Sequence, residues 1–137
     1  MITAVDTSVL LDLLLQDPSF GIRSEEALRR ASKDEALIIC DVVYAELAGL
    51  FPNQAALEAF LRETGIQLKP FRPEILWKAG ESWRRFCLDR PRQAMVARRI
   101  LADFLIGAHA MLQAEQFLTR DKDFYRTVFA GLRLASP

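Results

Sequence analysis

Four acidic residues stand where a carboxylate is unfavourable unless it has a partner. Asp6 directly follows a short apolar run at 2–5, and Asp121 follows another at 116–119. Glu46 and Asp103 lie within apolar stretches whose pattern is helical. A carboxylate surrounded by apolar residues is costly unless it pairs with a cation or binds a metal ion. These positions are therefore the first candidates for chemistry.

Taken singly, each of these acids is better explained as a helix cap or a salt-bridge partner. Gathered in one place, several carboxylates repel one another, and their pKa values rise until a divalent cation neutralises them. Magnesium prefers oxygen ligands and keeps several water molecules, so it needs only a few carboxylates and a substrate phosphate. The sequence thus predicts a divalent-metal site if the fold brings these acids together.

The hydrophobic pattern predicts the elements that must position the acids. Short apolar runs alternate with amphipathic segments, which indicates a parallel sheet covered by helices on both faces. We expect strands at 2–5, 36–39, 66–69, 116–119 and 132–134, and helices at 9–15, 24–32, 42–47, 52–65, 73–88, 100–114 and 123–129. The predicted class is α/β, a three-layer α/β/α arrangement with a mostly parallel sheet, in one domain at 1–137. Ligands bind at the carboxyl ends of such strands.

Composition is that of a globular domain. The chain has 137 residues, of which 51% are hydrophobic and 26% charged, enough for one domain with a core. No apolar run is long enough to cross a bilayer, and we expect neither a membrane segment nor a signal peptide. Cys40 and Cys87 are expected to be reduced, which suits the cytoplasm. The cysteines and the single histidine lack zinc-site spacing.

Charge is distributed unevenly along a chain whose net charge is zero. Residues 1–70 contain 6 basic and 11 acidic residues, whereas residues 71–137 contain 12 basic and 7 acidic residues. The second half includes a dense group of arginines: Arg84, Arg85, Arg90, Arg92, Arg98 and Arg99. Guanidinium groups match phosphate oxygens well, so this segment is predicted to face a polyanion. The alternative is a solvated helix face with ordinary ion pairs.

Four segments of the chain resemble the motifs of a known family. DTSVLLDLL at 6–14 resembles the opening of a PIN domain, and VYAEL at 43–47 resembles its second acidic motif. ADFLIGAHA at 102–110 and LTRDKDF at 118–124 resemble the third and last motifs. The resemblance covers the whole chain in order, and it is closest to the VapC-type toxins of toxin–antitoxin modules.

This resemblance implies a metal-dependent endoribonuclease that cleaves single-stranded regions or structured loops of RNA. The acidic cluster would be Asp6, Glu46, Asp103 and Asp121, with Asp6, Asp103 and Asp121 as the metal ligands. One or two Mg²⁺ or Mn²⁺ ions would hold the scissile phosphate and lower the pKa of a bound water. No nucleophilic side chain is needed. The six arginines, which their dense spacing predicts to face a polyanion, would then bind this RNA.

Other residues would support this cluster. Ser8 and Thr119 match hydroxyl positions close to the metal site in the family. Asp123 is an alternative fourth acid, but Asp121 is preferred because it is nearer the strand end, and Asp123 is expected to cap the last helix. His109 points away from Asp103 at ~100° per residue, so we expect a hydrogen-bonded core residue rather than a general base.

The resemblance also implies partners, and it leaves alternatives open. We expect a homodimer and a small cognate antitoxin protein, with Phe51, Phe60 and Trp77 as apolar surface candidates. The alternatives are a housekeeping PIN nuclease in RNA processing, a PIN-like module that binds RNA without cutting it, and a purely structural α/β domain. An aspartyl phosphatase is disfavoured because Ser8 stands where that chemistry needs a second acid.

Gly107, one turn after Asp103, is expected to leave the helix face open beside the acid.

Overall fold

A five-stranded parallel sheet forms the centre of the computed structural model, which describes residues 1–89 and 101–137. The strands are β1 (Ile2–Val5), β2 (Ala36–Ile39), β3 (Ile66–Leu68), β4 (Gln116–Leu118) and β5 (Leu134–Ala135). Their order in the sheet is β3-β2-β1-β4-β5, and every adjacent pair is parallel. The chain therefore builds one side of the sheet outward from β1 and then returns to add β4 on the other side.

The described parts of the chain contain seven helices that pack around this sheet. They are α1 (Thr7–Leu14), α2 (Gly21–Ala31), α3 (Asp41–Ala48), α4 (Gln54–Thr64), α5 (Pro73–Leu88), α6 (Leu101–Gln113) and α7 (Lys122–Val128). The architecture is the three-layer α/β/α arrangement that the hydrophobic pattern predicts. No helix in residues 1–89 or 101–137 is long and apolar enough to span a membrane.

Local sequence explains where several helices begin and end. The Asn53 side chain accepts a hydrogen bond from the Ala56 N–H, which caps α4, and Gly65 ends that helix with φ of 73°. This left-handed conformation favours glycine because it has no Cβ. Pro73 opens α5, where its missing N–H costs nothing.

The predicted elements are found, with shifted ends. Helix α1 begins at Thr7, directly after Asp6, and α2 begins at Gly21 rather than at Ser24. The prediction that Asp123 caps the last helix is wrong: Asp121 occupies the N-cap position of α7, and Asp123 lies in its first turn.

The core lies between the sheet and its helices, and aromatic side chains fill the part near α6 and α7. Phe104, Phe117, Tyr125 and Phe129 are all buried, and their rings are in contact: Phe117 meets Tyr125 edge to face, whereas Phe129 is tilted against Phe104 and stacked on Tyr125. A Cβ at Gly107 would collide with the ring of Phe129. The absence of a side chain at Gly107 therefore lets the Phe129 ring pack against this helix. The expectation that Gly107 leaves the helix face open beside Asp103 is wrong.

Two further expectations concern buried and apolar residues. Cys40 and Cys87 are both free thiols, as predicted. Trp77 is 75% exposed, whereas Phe51 and Phe60 are partly buried with ring centroids 5.5 Å apart. Of the three apolar surface candidates, Trp77 is the one that lies mainly on the surface.

Candidate active site

Asp6 lies at the carboxyl end of the central strand and is fixed there by its neighbours on β4. Its N–H donates to the Leu118 carbonyl oxygen at 3.0 Å, which extends the β1–β4 pairing past the end of β1. Thr119 Oγ1 donates to Asp6 Oδ2 at 2.6 Å, and Ser8 Oγ lies 3.4 Å from the same oxygen. Both predicted supporting hydroxyls therefore contact this carboxylate.

A cavity of about 420 Å³ opens at this end of the sheet, and all four predicted acids line it. Asp6 follows β1, Glu46 lies on α3, Asp103 lies on α6, and Asp121 lies between β4 and α7. The other residues that line the cavity are Thr7, Ser8, Leu11, Ile106, Arg120 and Tyr125. The cavity lies beside the point where the strand order changes direction, which is where open α/β sheets bind ligands.

Burial raises the pKa of Asp6, and the neighbouring carboxylates add to this effect. Its side chain is buried, with 7% of the residue exposed, and this burial raises its pKa to about 6. The hydrogen bond from Thr119 lowers that pKa, while the charges of Asp103 and Glu46 raise it further. A bound cation would favour the ionised form of such a carboxyl group, because it offsets both the desolvation and the repulsion.

Thr7 positions Glu46, a role that the sequence did not reveal. Thr7 Oγ1 donates to Glu46 Oε1 at 2.9 Å, and Thr7 is itself buried. Glu46 is otherwise exposed on α3. The hydroxyl next to Asp6 therefore links α1 to the second acid of the cavity.

The two acids of the last motif, Asp121 and Asp123, lie in different environments. Asp121 lines the cavity, and its backbone N–H donates to Thr119 Oγ1 at 3.0 Å. The Asp123 side chain is 98% exposed and pairs with Arg126 at 3.6 Å. The placement agrees with the preference for Asp121, and its functional rank over Asp123 stays a prediction.

The donor set of the cavity suits a hard divalent cation. Within residues 1–89 and 101–137, no three His, Cys, Asp or Glu side chains are arranged to hold a metal ion directly. Magnesium needs fewer protein ligands than that, because it keeps several waters and is bound by one or two carboxylates with substrate phosphate. Among the described residues that line it, the cavity has four carboxylates and no thiol or imidazole, so its chemistry fits Mg²⁺ or Mn²⁺.

His109 is a core residue, as predicted. It is buried, and its Nε2 lies 2.8 Å from the Lys69 carbonyl oxygen. The Phe71 ring packs edge-on at 6.0 Å between centroids. Burial lowers the pKa of His109, and the residue does not line the cavity.

The predicted RNA-binding arginines are only partly described. Arg84 and Arg85 are exposed on α5, and Arg85 pairs with Glu81 at 3.4 Å. Arg90, Arg92, Arg98 and Arg99 lie outside the described residues.

Comparison with known proteins identifies the family. The family model for the PIN domain matches residues 3–130. The chain therefore belongs to the PIN domain family, as its four acidic motifs predicted. No curated protein sequence gives a significant match.

Solved structures of similar fold include toxin–antitoxin complexes and a toxin. A chain of Rickettsia felis VapBC2, bound to a promoter DNA fragment, has a TM-score of 0.72 at 19% identity, covering 99% of this chain and 98% of that chain. VapBC-1 of nontypeable Haemophilus influenzae has a TM-score of 0.69 at 23% identity, covering 99% and 98%. The sarcin–ricin-loop-cleaving toxin VapC20 of Mycobacterium tuberculosis has a TM-score of 0.60 at 18% identity, covering 96% and 98%. These structures share the fold over nearly the whole chain.

Proposed function

We propose that this protein is a metal-dependent endoribonuclease that cleaves single-stranded regions of RNA. The observation that supports this most strongly is the convergence of Asp6, Glu46, Asp103 and Asp121 on one cavity from four separate elements. Single caps or salt bridges do not explain this convergence, because each acid would then serve its own local element. A buried carboxyl group with a pKa near 6, beside two other carboxylates, is the environment that a divalent cation relieves.

Asp6, Asp103 and Asp121 would hold Mg²⁺ or Mn²⁺, together with water and the substrate phosphate. When bound, the cation supplies Lewis-acid polarisation of the phosphate and a water of lowered pKa. Glu46, held by Thr7 Oγ1, accepts a proton from the attacking water. Thr119 and Ser8 contact Asp6 Oδ2 and so fix this carboxylate where it lines the cavity.

We further propose that the protein acts as the toxin of a VapBC-like pair. Two of the structures of similar fold are VapBC complexes, which supports a small antitoxin as the partner. A homodimer is part of the same proposal, with the exposed Trp77 as a contact candidate. We propose in addition that the segment from Arg84 to Arg99 guides RNA toward the cavity, since phosphate contacts position a nucleic acid without reading its sequence.

A cleavage assay tests the nuclease proposal. We expect purified protein to cut an end-labelled single-stranded RNA in Mg²⁺ or Mn²⁺ and to stop in excess EDTA. Asp6→Asn and Asp103→Asn should abolish cleavage, while Asp34→Asn, an exposed acid remote from the cavity, should cleave like the wild type. Full activity in EDTA or in Asp6→Asn would refute the proposal.

A second assay tests the toxin role. Induced expression of the wild type should arrest growth, and Asp6→Asn should not. Co-expression of a small open reading frame that adjoins the gene should restore growth and co-purify with the protein. Growth that continues during expression of an active nuclease would favour the housekeeping alternative.

A further inference from the structure

A positively charged side chain stands among the acids of the cavity. Arg120 lies between Thr119 and Asp121, and it lines the cavity together with the four carboxylates. Of the residues in 1–89 and 101–137 that line this cavity, Arg120 is the sole basic one. An RNA phosphate that enters the cavity meets strong negative charge, so a cation at this place bears directly on substrate binding.

Arg120 is held by a buried carboxylate. Its Nε lies 3.1 Å from Asp12 Oδ2, and the Asp12 side chain is only 2% exposed. Ser24 Oγ, on α2, donates to the same oxygen at 2.7 Å. Asp12 is thus a charged residue inside α1 whose position is fixed by α2 and by the loop after β4. Since an unpaired buried carboxylate is costly, this pairing holds Arg120 in place.

An aromatic ring restricts the guanidinium from another side. The guanidinium carbon of Arg120 lies 4.3 Å from the centroid of the Phe20 ring. The turn before α2 that presents Phe20 is fixed in turn, because Asp17 Oδ1 accepts the N–H groups of Ser19 and Phe20 at 2.9 Å and 2.8 Å. These hydrogen bonds, with a smaller contribution from the charge of Arg120, lower the pKa of Asp17.

We propose that Arg120 binds the RNA backbone, contacting a phosphate beside the scissile one, and that Asp12 is its positioning residue. A guanidinium has five N–H donors in a planar fork, and here Nε faces Asp12 while about a third of the side chain, 34%, is exposed. The edge opposite Nε is the part that suits a bidentate phosphate contact. This inference rests on the proposed ribonuclease function and adds a substrate-binding residue to it.

Sequence-independent RNA binding provides the test. In the Asp6→Asn background, affinities for several single-stranded RNAs are measured at a series of salt concentrations, and cleavage kinetics are measured in the active protein. We expect Arg120→Gln to weaken binding and raise KM about ten-fold for all sequences. We also expect it to reduce the salt slope, which is the slope of the logarithm of the binding constant against the logarithm of the salt concentration, by about 0.7, the value for one phosphate contact on a single strand. Arg126→Gln is the matched control, because this exposed arginine of α7 pairs with Asp123 away from the cavity.

The role of Asp12 as the anchor of Arg120 is tested separately from the charge of Arg120. Asp12→Asn keeps the guanidinium but removes its anchor, so we expect the salt slope to persist while kcat/KM falls several-fold. The double variant Asp12→Asn with Arg120→Gln removes the buried charge and its partner together, so it should fold. If that variant regains both melting temperature and KM, Arg120 has only a structural role and the inference is wrong.

The remaining outcomes separate this inference from the proposed function. Wild-type cleavage with an unchanged KM and salt slope in Arg120→Gln overturns the inference alone. A wild type that cleaves no RNA refutes the proposed function, and the binding series then decides whether Arg120 contacts RNA. If the Asp6→Asn protein binds no RNA either, both fail.

Discussion

Replacing Asp6 with asparagine should stabilise the metal-free protein at neutral pH while it destroys function. The Asp6 carboxyl group is buried, and its pKa in the folded protein is about 6, against an ordinary value of 3.8. Ionising it at pH 7 therefore costs more in the folded than in the unfolded chain. Asparagine removes this cost and keeps an oxygen that can accept the hydrogen bond of Thr119.

The expected gain in the free energy of unfolding follows from the difference between the folded and ordinary pKa values of Asp6. At 1.36 kcal/mol per pKa unit, a rise from 3.8 to about 6 amounts to about 3 kcal/mol. For a chain of this length, such a gain raises the melting temperature by about 10 °C. Because the folded pKa is raised, the wild type loses this stability as the pH climbs from about 4 through about 6. Below pH 4 the two proteins should be equally stable with respect to this group.

Urea unfolding in EDTA across this pH range is the assay. We expect the free energy of unfolding of Asp6→Asn to exceed that of the wild type above pH 6, and the gap to close toward pH 4. Added Mg²⁺ should stabilise the wild type and leave Asp6→Asn unchanged, since a ligand that binds only the folded state stabilises it. Asp34→Asn serves as the control for a remote, exposed acid.

A metal-free Asp6→Asn that is less stable than the wild type at pH 7 would contradict the reasoning. It would mean that hydrogen bonds to the carboxylate outweigh the desolvation and repulsion that raise its pKa. If the difference in the free energy of unfolding between the two proteins did not change with pH, Asp6 would not titrate in this range as its raised pKa requires.

Three further predictions concern other parts of the chain. Asp121→Asn should reduce cleavage at low Mg²⁺ about ten-fold or more, while Asp123→Asn has little effect; initial rates decide, and a loss confined to Asp123→Asn reverses the assignment. Gly107→Ala should lower the free energy of unfolding by about 1–3 kcal/mol, because its Cβ collides with the Phe129 ring; unchanged urea stability would mean that the ring moves aside freely. Sedimentation equilibrium at micromolar concentration should give a homodimer that Trp77→Ser weakens, whereas a wild-type monomer refutes the dimer.

That the four acids would line one cavity could be predicted from the sequence, because each has a local signature. Asp6 and Asp121 stand at strand ends, which parallel sheets bring to one edge, and Glu46 and Asp103 stand in apolar helical stretches. These signals depend on short-range pattern and on the topology that the pattern implies. The same reasoning gave strand positions to within a residue or two, because buried parallel strands are nearly continuous apolar runs.

Contacts that join distant parts of the chain could not be predicted from the sequence. Asp12 interrupts an apolar helix, which signals a buried acid in need of a partner, but nothing local identifies Arg120, which lies in the loop after β4. The role of Gly107 was misjudged for a similar reason. Its spacing from Asp103 is a property of the helix, whereas the ring that packs against it belongs to Phe129, after α7.

The central claim is that water cuts RNA at the carboxylate cavity, and the chemistry of the product ends tests it directly. Cleavage in Mg²⁺ and ¹⁸O-labelled water, sampled in the first turnovers, should give one new terminal phosphate with a single solvent oxygen and no 2′,3′-cyclic phosphate. Asp6→Asn, purified in the same way, should give no product. Early 2′,3′-cyclic phosphate ends, or equal product from Asp6→Asn, would contradict the account, because the RNA 2′-hydroxyl or another site would then be responsible for the cut.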